Sequence, residues 1–159
     1  MITNEEREFI GFFWGEGNMA IRKSISHSSK IKKNHFNPTI KITQREDNPF
    51  ILQWCKTKFG GSIWRRDKTS LSMKRSNYIA NPRLTWEVQG FKRCREVIKV
   101  LEQGILNDKK KQELKIYKEF LYSGVGAGRT TPLEVLEKQY KMKKDLSFLR
   151  SYRPLIASK

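Results

Sequence analysis

The segment FIGFFWGEG, Phe9 to Gly17, constrains the fold more than any other part of the chain. Thr3 and Glu6 form a capping box, in which each side chain can satisfy the other residue's orphan backbone donor. The spacing therefore predicts a helix from near Asn4 towards Gly15. Phe9, Ile10, Phe12 and Phe13 make that helix apolar nearly all round, so it must be covered on several sides. Gly11 and Gly15 are four residues apart and share one face. A glycine costs a helix interior about 1 kcal/mol, so two of them need a packing reason, namely the close approach of another backbone.

Beyond Gly17 the period shortens to two. Met19, Ile21 and Ile25 alternate with Ala20, Arg22, Ser24 and Ser26, which predicts a strand. The polar, basic stretch His27–Asn37 reads as a long hairpin loop, after which Ile40 and Ile42 oppose Thr39, Lys41 and Thr43. Asn48-Pro49 opens a short helix that Gly60-Gly61 ends. A third strand is expected over Ser62–Lys68 and a fourth over Arg83–Gln89, joined by a long linker. Helical period returns at Phe91 and stops at Gly104; further helices are expected over Asp108–Leu121 and Pro132–Leu149. The order αββαββ followed by helices is an α+β pattern. At 159 residues it makes one domain, residues 1–159, with a core over about 3–123 and a C-terminal helical extension over about 131–150.

Charge narrows the partners. Lys and Arg number 33 against 16 Asp and Glu, a formal net charge of +17. Between Asn18 and Arg75, 14 Lys and Arg stand against 3 Asp and Glu, about two thirds of the excess. These basic residues share strand faces with Ser, Thr, Asn and Gln, side chains able to contact phosphates and base edges. A charge run is usually a solvated face, but this composition on a sheet favours nucleic acid. No apolar run is long enough to span a membrane. Cys55 and Cys94 make no disulfide framework and read as small core residues; with only His27 and His35 and no CxxC, structural zinc is not expected. An intracellular protein is expected, organellar or prokaryotic cytoplasmic and not secreted.

Glu16 follows the apolar helix directly. The plain reading is a surface carboxylate, although the macrodipole disfavours a negative charge at a helix C-terminus unless a cation is near. If the glycine face packs on the same face of a second copy about a two-fold axis, the two Glu16 carboxylates project together. At about 4 Å they would repel by roughly 4 kcal/mol at an effective dielectric of 20. A divalent cation relieves this, and carboxylate oxygens suit Mg²⁺, which takes one or two carboxylates plus water and phosphate oxygens. Such a site can hydrolyse a phosphodiester.

At these residues the chain resembles the LAGLIDADG homing endonucleases, in their single-motif homodimeric branch. FIGFFWGEG matches the family's helix motif, with Glu16 on its final acidic position and Gly11, Gly15 and Gly17 on its small positions. Further likeness lies in ITQR (Ile42–Arg45), LNDKKKQ (Leu106–Gln112) and PLEVL (Pro132–Leu136). Trp14 departs from the motif, standing where an Asp is common. The resemblance implies a half-site fold with a saddle-shaped antiparallel sheet and C-terminal helices. It also implies a homodimer with Gly11, Phe12 and Gly15 at its interface, and Mg²⁺ (Ca²⁺ or Mn²⁺ as substitutes) held by Glu16 and backbone near Gly15. Gln44 would order water. Lys109 would polarise water or stabilise the phosphoryl transition state, with Lys111 as the alternative register.

On the same reading Arg22, Ser24, Ser26, Thr39, Lys41, Arg65, Arg66, Lys68, Arg83, Thr85 and Glu87 face the major groove of double-stranded DNA. A globule of this length has a radius of gyration of about 15 Å, so a dimer would cover about 20 base pairs in two pseudo-palindromic halves. The activity implied is Mg²⁺-dependent, site-specific double-strand cleavage by an intron-encoded enzyme. An RNA-splicing maturase, a non-cleaving DNA-binding regulator and a basic RNA-binding structural protein stay open as alternatives.

Overall fold

The computed structural model describes residues 2–26, 33–66, 82–104, 107–123 and 131–151. Helix α1 (Asn4–Glu16) runs straight into strand β1 (Gly17–Ser26); β2 (Lys33–Arg45), α2 (Phe50–Phe59), β3 (Ser62–Arg66) and β4 (Arg83–Gln89) follow. Three helices complete the chain: α3 (Phe91–Leu101), α4 (Asp108–Ser123) and α5 (Leu133–Ser151). The order is the expected αββαββ with helices after it. β2 begins within the stretch read as loop: Lys33 to Asn37 pair with Ser26 to Arg22, so His35 lies in a strand. His27 lies outside the described residues.

The capping box is formed. Thr3 Oγ1 accepts from the Glu6 backbone N–H at 3.2 Å, and Glu6 Oε2 accepts from the Thr3 N–H at 3.0 Å. Helix α2 ends at Gly60, and Gly60 and Gly61 both have positive φ, 74° and 89°. That backbone favours glycine. Trp86 Nε1 donates to the Gly60 carbonyl at 2.8 Å, which fixes this turn to β4.

The four strands form one antiparallel sheet in the order β1-β2-β4-β3. Its pleat sends Met19, Ile21, Ile40, Ile42, Trp86 and Val88 to one side, all buried in a single core with the helices. Phe9 anchors α1 there, with its ring centroid 5.4 Å from both Trp54 and Phe59 and 5.8 Å from Phe13. On α4, Tyr117 is fully buried and donates to the Thr39 carbonyl at 3.0 Å, so that helix is pinned to the middle of β2. Helix α5 packs on α4 through buried Met142 and Leu146. The opposite, polar side of the sheet carries Arg22, Lys41 and Arg83.

Candidate active site and nucleic-acid face

Helix α1 delivers Glu16 to the junction with β1, where the side chain is exposed. No basic residue lies in the last turn of α1, so none there offsets the carboxylate at the negative end of the helix dipole. Gly17, which follows, is needed for packing: a Cβ there would fall inside contact distance of the Phe13 ring. Gly11 and Gly15 differ. Among the described residues, a Cβ at either would meet nothing within 4 Å, and both are exposed. No described part of the protomer requires their smallness.

Gln44 lies two residues beyond Ile42, the register partner of Gly17, on the same side of the sheet as Ile42. It therefore projects past the start of β1, at the end of the sheet where Glu16 sits. Its Oε1 is buried without a hydrogen-bond partner among the described residues. A buried acceptor of this kind is normally satisfied by water or by a ligand. Lys109, in the first turn of α4, lines a cleft of about 430 Å³ with Gly17, Asn18, Asn107 and Lys110. Glu16 and Lys109 thus flank the same corner; Lys111 is on the exposed side of α4, with its Nζ 3.3 Å from Asp108.

Four residues of this corner were given no role by the sequence. Trp14 is buried, and its Nε1 donates to the Gly104 carbonyl at 2.6 Å, tying the end of α1 to the segment that leads into α4. The Lys110 ammonium stands 5.9 Å from the Trp14 ring centroid. Glu113 is buried, with Lys110 Nζ at 3.7 Å and Arg150 Nε at 3.4 Å from its Oε2. Arg150 comes from α5, far away in sequence, and only the fold brings it here.

The exposed Glu16 carboxylate is a hard oxygen donor of the kind Mg²⁺ takes; among the described residues no group of three or more His, Cys, Asp or Glu is assembled. Mg²⁺ is commonly held by one or two carboxylates with water and substrate phosphate supplying the rest.

The polar sheet face is set by the strand register. Arg22 and Ser24 on β1, Lys41 on β2 and Arg83 on β4 lie on it, as does the backbone position of Arg66. Ser26 falls in β1 on the same alternation. Thr39 and Thr85 share the face but are each 1% exposed; Thr85 Oγ1 is 2.9 Å from Thr43 Oγ1. Glu87 is also buried there, paired with Arg22. These three are covered, not open to a groove as the alternation suggested. Arg65 requires a correction. It pairs with Leu84, and Ile63 pairs with Trp86, so Arg65 is on the helix side of the sheet and reaches Glu46 at 3.3 Å. Ile63 and Trp64 competed for the core; Ile63 packs against it, Trp64 is exposed, and a one-residue choice of this kind swaps every side chain beyond. Lys68 lies outside the described residues.

No family model matches the chain, and no curated protein matches it by sequence. Solved structures do. The archaeal intron-encoded homing endonuclease I-Vdi141I, complexed with DNA, is similar over 94% of this chain and 87% of its own, at TM-score 0.67 and 19% identity. The homing endonuclease I-CvuI, in complex with DNA in the presence of Mg, matches over 94% and 86%, at TM-score 0.68 and 14% identity. The LAGLIDADG homing endonuclease I-GzeII, in complex with its DNA target, matches all of this chain at TM-score 0.60 and 18% identity; the chain spans about half, 54%, of its length. The chain has the fold of the LAGLIDADG homing endonucleases.

Proposed function

We infer that this chain is a site-specific DNA endonuclease that works as a homodimer and cleaves both strands of a long pseudo-palindromic target. One observation carries the reading: the exposed face of Gly11 and Gly15 ends in Glu16, next to the cleft that Lys109 lines. Glycines whose outer face no described residue crowds are useful to a second helix, which can then approach at backbone distance. Two copies joined there, with Phe12 at the rim, would bring two Glu16 carboxylates together below two basic sheet faces.

Each residue then has a task. Glu16 from each protomer, with backbone near Gly15, would hold Mg²⁺, which when bound supplies Lewis-acid stabilisation of the phosphate oxygens. Gln44, whose Oε1 has no hydrogen-bond partner among the described residues, would orient the attacking water through that acceptor. Lys109 would place its ammonium by the phosphate and stabilise charge that develops there. Arg22, Lys41, Arg83 and Arg66 would provide the phosphate and base contacts along about one turn of duplex per protomer. In I-Vdi141I the corresponding enzyme is intron-encoded, which supports the same genetic setting for this chain.

The test uses supercoiled plasmids carrying candidate sites, with Mg²⁺, and compares the wild-type chain with Glu16→Gln. Wild type should linearise a plasmid, and Glu16→Gln should bind it uncut. Equal cutting by both would remove Glu16 from the mechanism. Binding of intron RNA by both proteins without any cutting would favour a splicing maturase.

A further inference from the structure

Arg22 and Glu87 sit on strands that are not neighbours: β2 runs between β1 and β4. Arg22 is paired with Asn37 and Glu87 with Lys41, so the two span β2 on a diagonal, with Thr39 midway between them on the same face. The diagonal is closed. Arg22 Nη1 donates to Glu87 Oε1 at 2.9 Å, and Gln89 Nε2 donates to that same oxygen at 2.7 Å. Exposure divides the pair sharply: the Arg22 side chain is 45% exposed, that of Glu87 9%.

A carboxylate on a face meant for a polyanion is a liability unless a cation neutralises it. A covered carboxylate whose Oε1 already accepts two hydrogen bonds is also poorly placed to take a third from a base. Its geometry suits another role. A free arginine samples many rotamers and must lose that freedom when it binds. Here Glu87 holds one guanidinium nitrogen, itself steadied by Gln89, while the planar fork has five N–H donors in all and stays half in solvent. Two parallel donors of an arginine fork match O6 and N7 of guanine in the major groove.

We propose that Glu87 is a positioning residue for sequence recognition: it does not touch DNA but orients Arg22 across β2, so that Arg22 selects a guanine in each half-site. This rests on the DNA-binding reading above and adds to it which base one side chain reads and what holds that side chain.

The experiment selects bound duplexes from a library randomised over about 20 base pairs and sequences them for wild type, Arg22→Ala, Glu87→Ala and the double variant. Wild type should show a guanine preference at one position per half-site, and Arg22→Ala should weaken it by about 5- to 150-fold. Glu87→Ala should weaken the same position and no other, and in the Arg22→Ala background it should have no further effect there. Glu87→Gln, which keeps the size and the acceptor but not the charge, should retain the guanine with a smaller margin, and it serves if the alanine variant does not fold. A Glu87 change that shifts a different position, adds independently to Arg22→Ala, or lowers binding evenly across all positions would overturn the proposal. If wild type enriches no duplex, the DNA-binding reading falls and takes this inference with it; an enriched wild-type profile that neither variant alters removes this inference alone.

Discussion

Arg150, near the end of α5, donates a hydrogen bond to the backbone carbonyl of Met19 in β1 and shares the buried carboxylate of Glu113 with Lys110. The last helix is thereby fastened to the strand just downstream of Glu16, and to the helix turn that follows Lys109. A hydrogen bond made by a charged group is worth about 1.5–3 kcal/mol, and a carboxylate left short of partners in a buried place adds to the loss. Arg150→Ala should cost about that much in urea unfolding, with cleavage falling further than DNA binding because the α4–β1 corner loosens. An unchanged unfolding midpoint would show that α5 is not anchored through this side chain.

The two kinds of glycine in α1 and at its end predict opposite results. Gly11→Leu places a side chain into open space and replaces a poor helix former, so the isolated protomer should gain up to about 1 kcal/mol. The same leucine should block helix approach, and sedimentation velocity should report a monomer. Gly17→Ala should do the reverse, destabilising the protomer through its clash with the Phe13 ring. A Gly11→Leu protein that remains dimeric would place the interface elsewhere.

What could be read in advance follows from the range of the forces involved. The α1 cap, the alternation in β1 and β4 and the glycine stop after α2 are local, so their residues state them directly. Glu16 drew attention because its helix is unusual by itself, and its place at the end of α1 is likewise local. Arg65 was not, because Ile63 and Trp64 offer the core two registers and only pairing with β4 decides between them. Thr39, Thr85 and Glu87 obeyed the alternation, but their burial depends on side chains arriving from strands distant in sequence. Glu113 and Arg150 are of the same kind. Nothing near either residue announces a partner 37 positions away.

Burial pushes the Cys94 thiol up to about 11 and the Cys55 thiol to about 12. Only the thiolate is a competent nucleophile, and both side chains are shielded in the core. The native chain treated with iodoacetamide near pH 8 should gain no adduct mass, whereas in denaturant both cysteines should alkylate. Rapid modification of the folded protein would mean that α2 or α3, which carry these residues, opens easily.

Glu6 couples the first turn of the key helix to acid. Its carboxyl is held below the ordinary carboxylate value of 4.5, first by the hydrogen bond from the Thr3 backbone and then by the Lys58 ammonium, 2.9 Å away. A group whose folded pKa lies below its unfolded one stabilises the fold while ionised in both states, and loses that contribution as pH falls through the folded value. Glu6→Gln should therefore be less stable than wild type near neutrality, and the two curves should converge as pH falls below the ordinary carboxylate value of 4.5 and through the lower folded one. Thr3→Ala, which removes the reciprocal bond, should cost about 0.5–2 kcal/mol at neutral pH. Chemical denaturation across the acid limb reads both effects. A gap between Glu6→Gln and wild type that stays constant down to about pH 3 would mean that the carboxylate's charge contributes nothing to holding α1 in place.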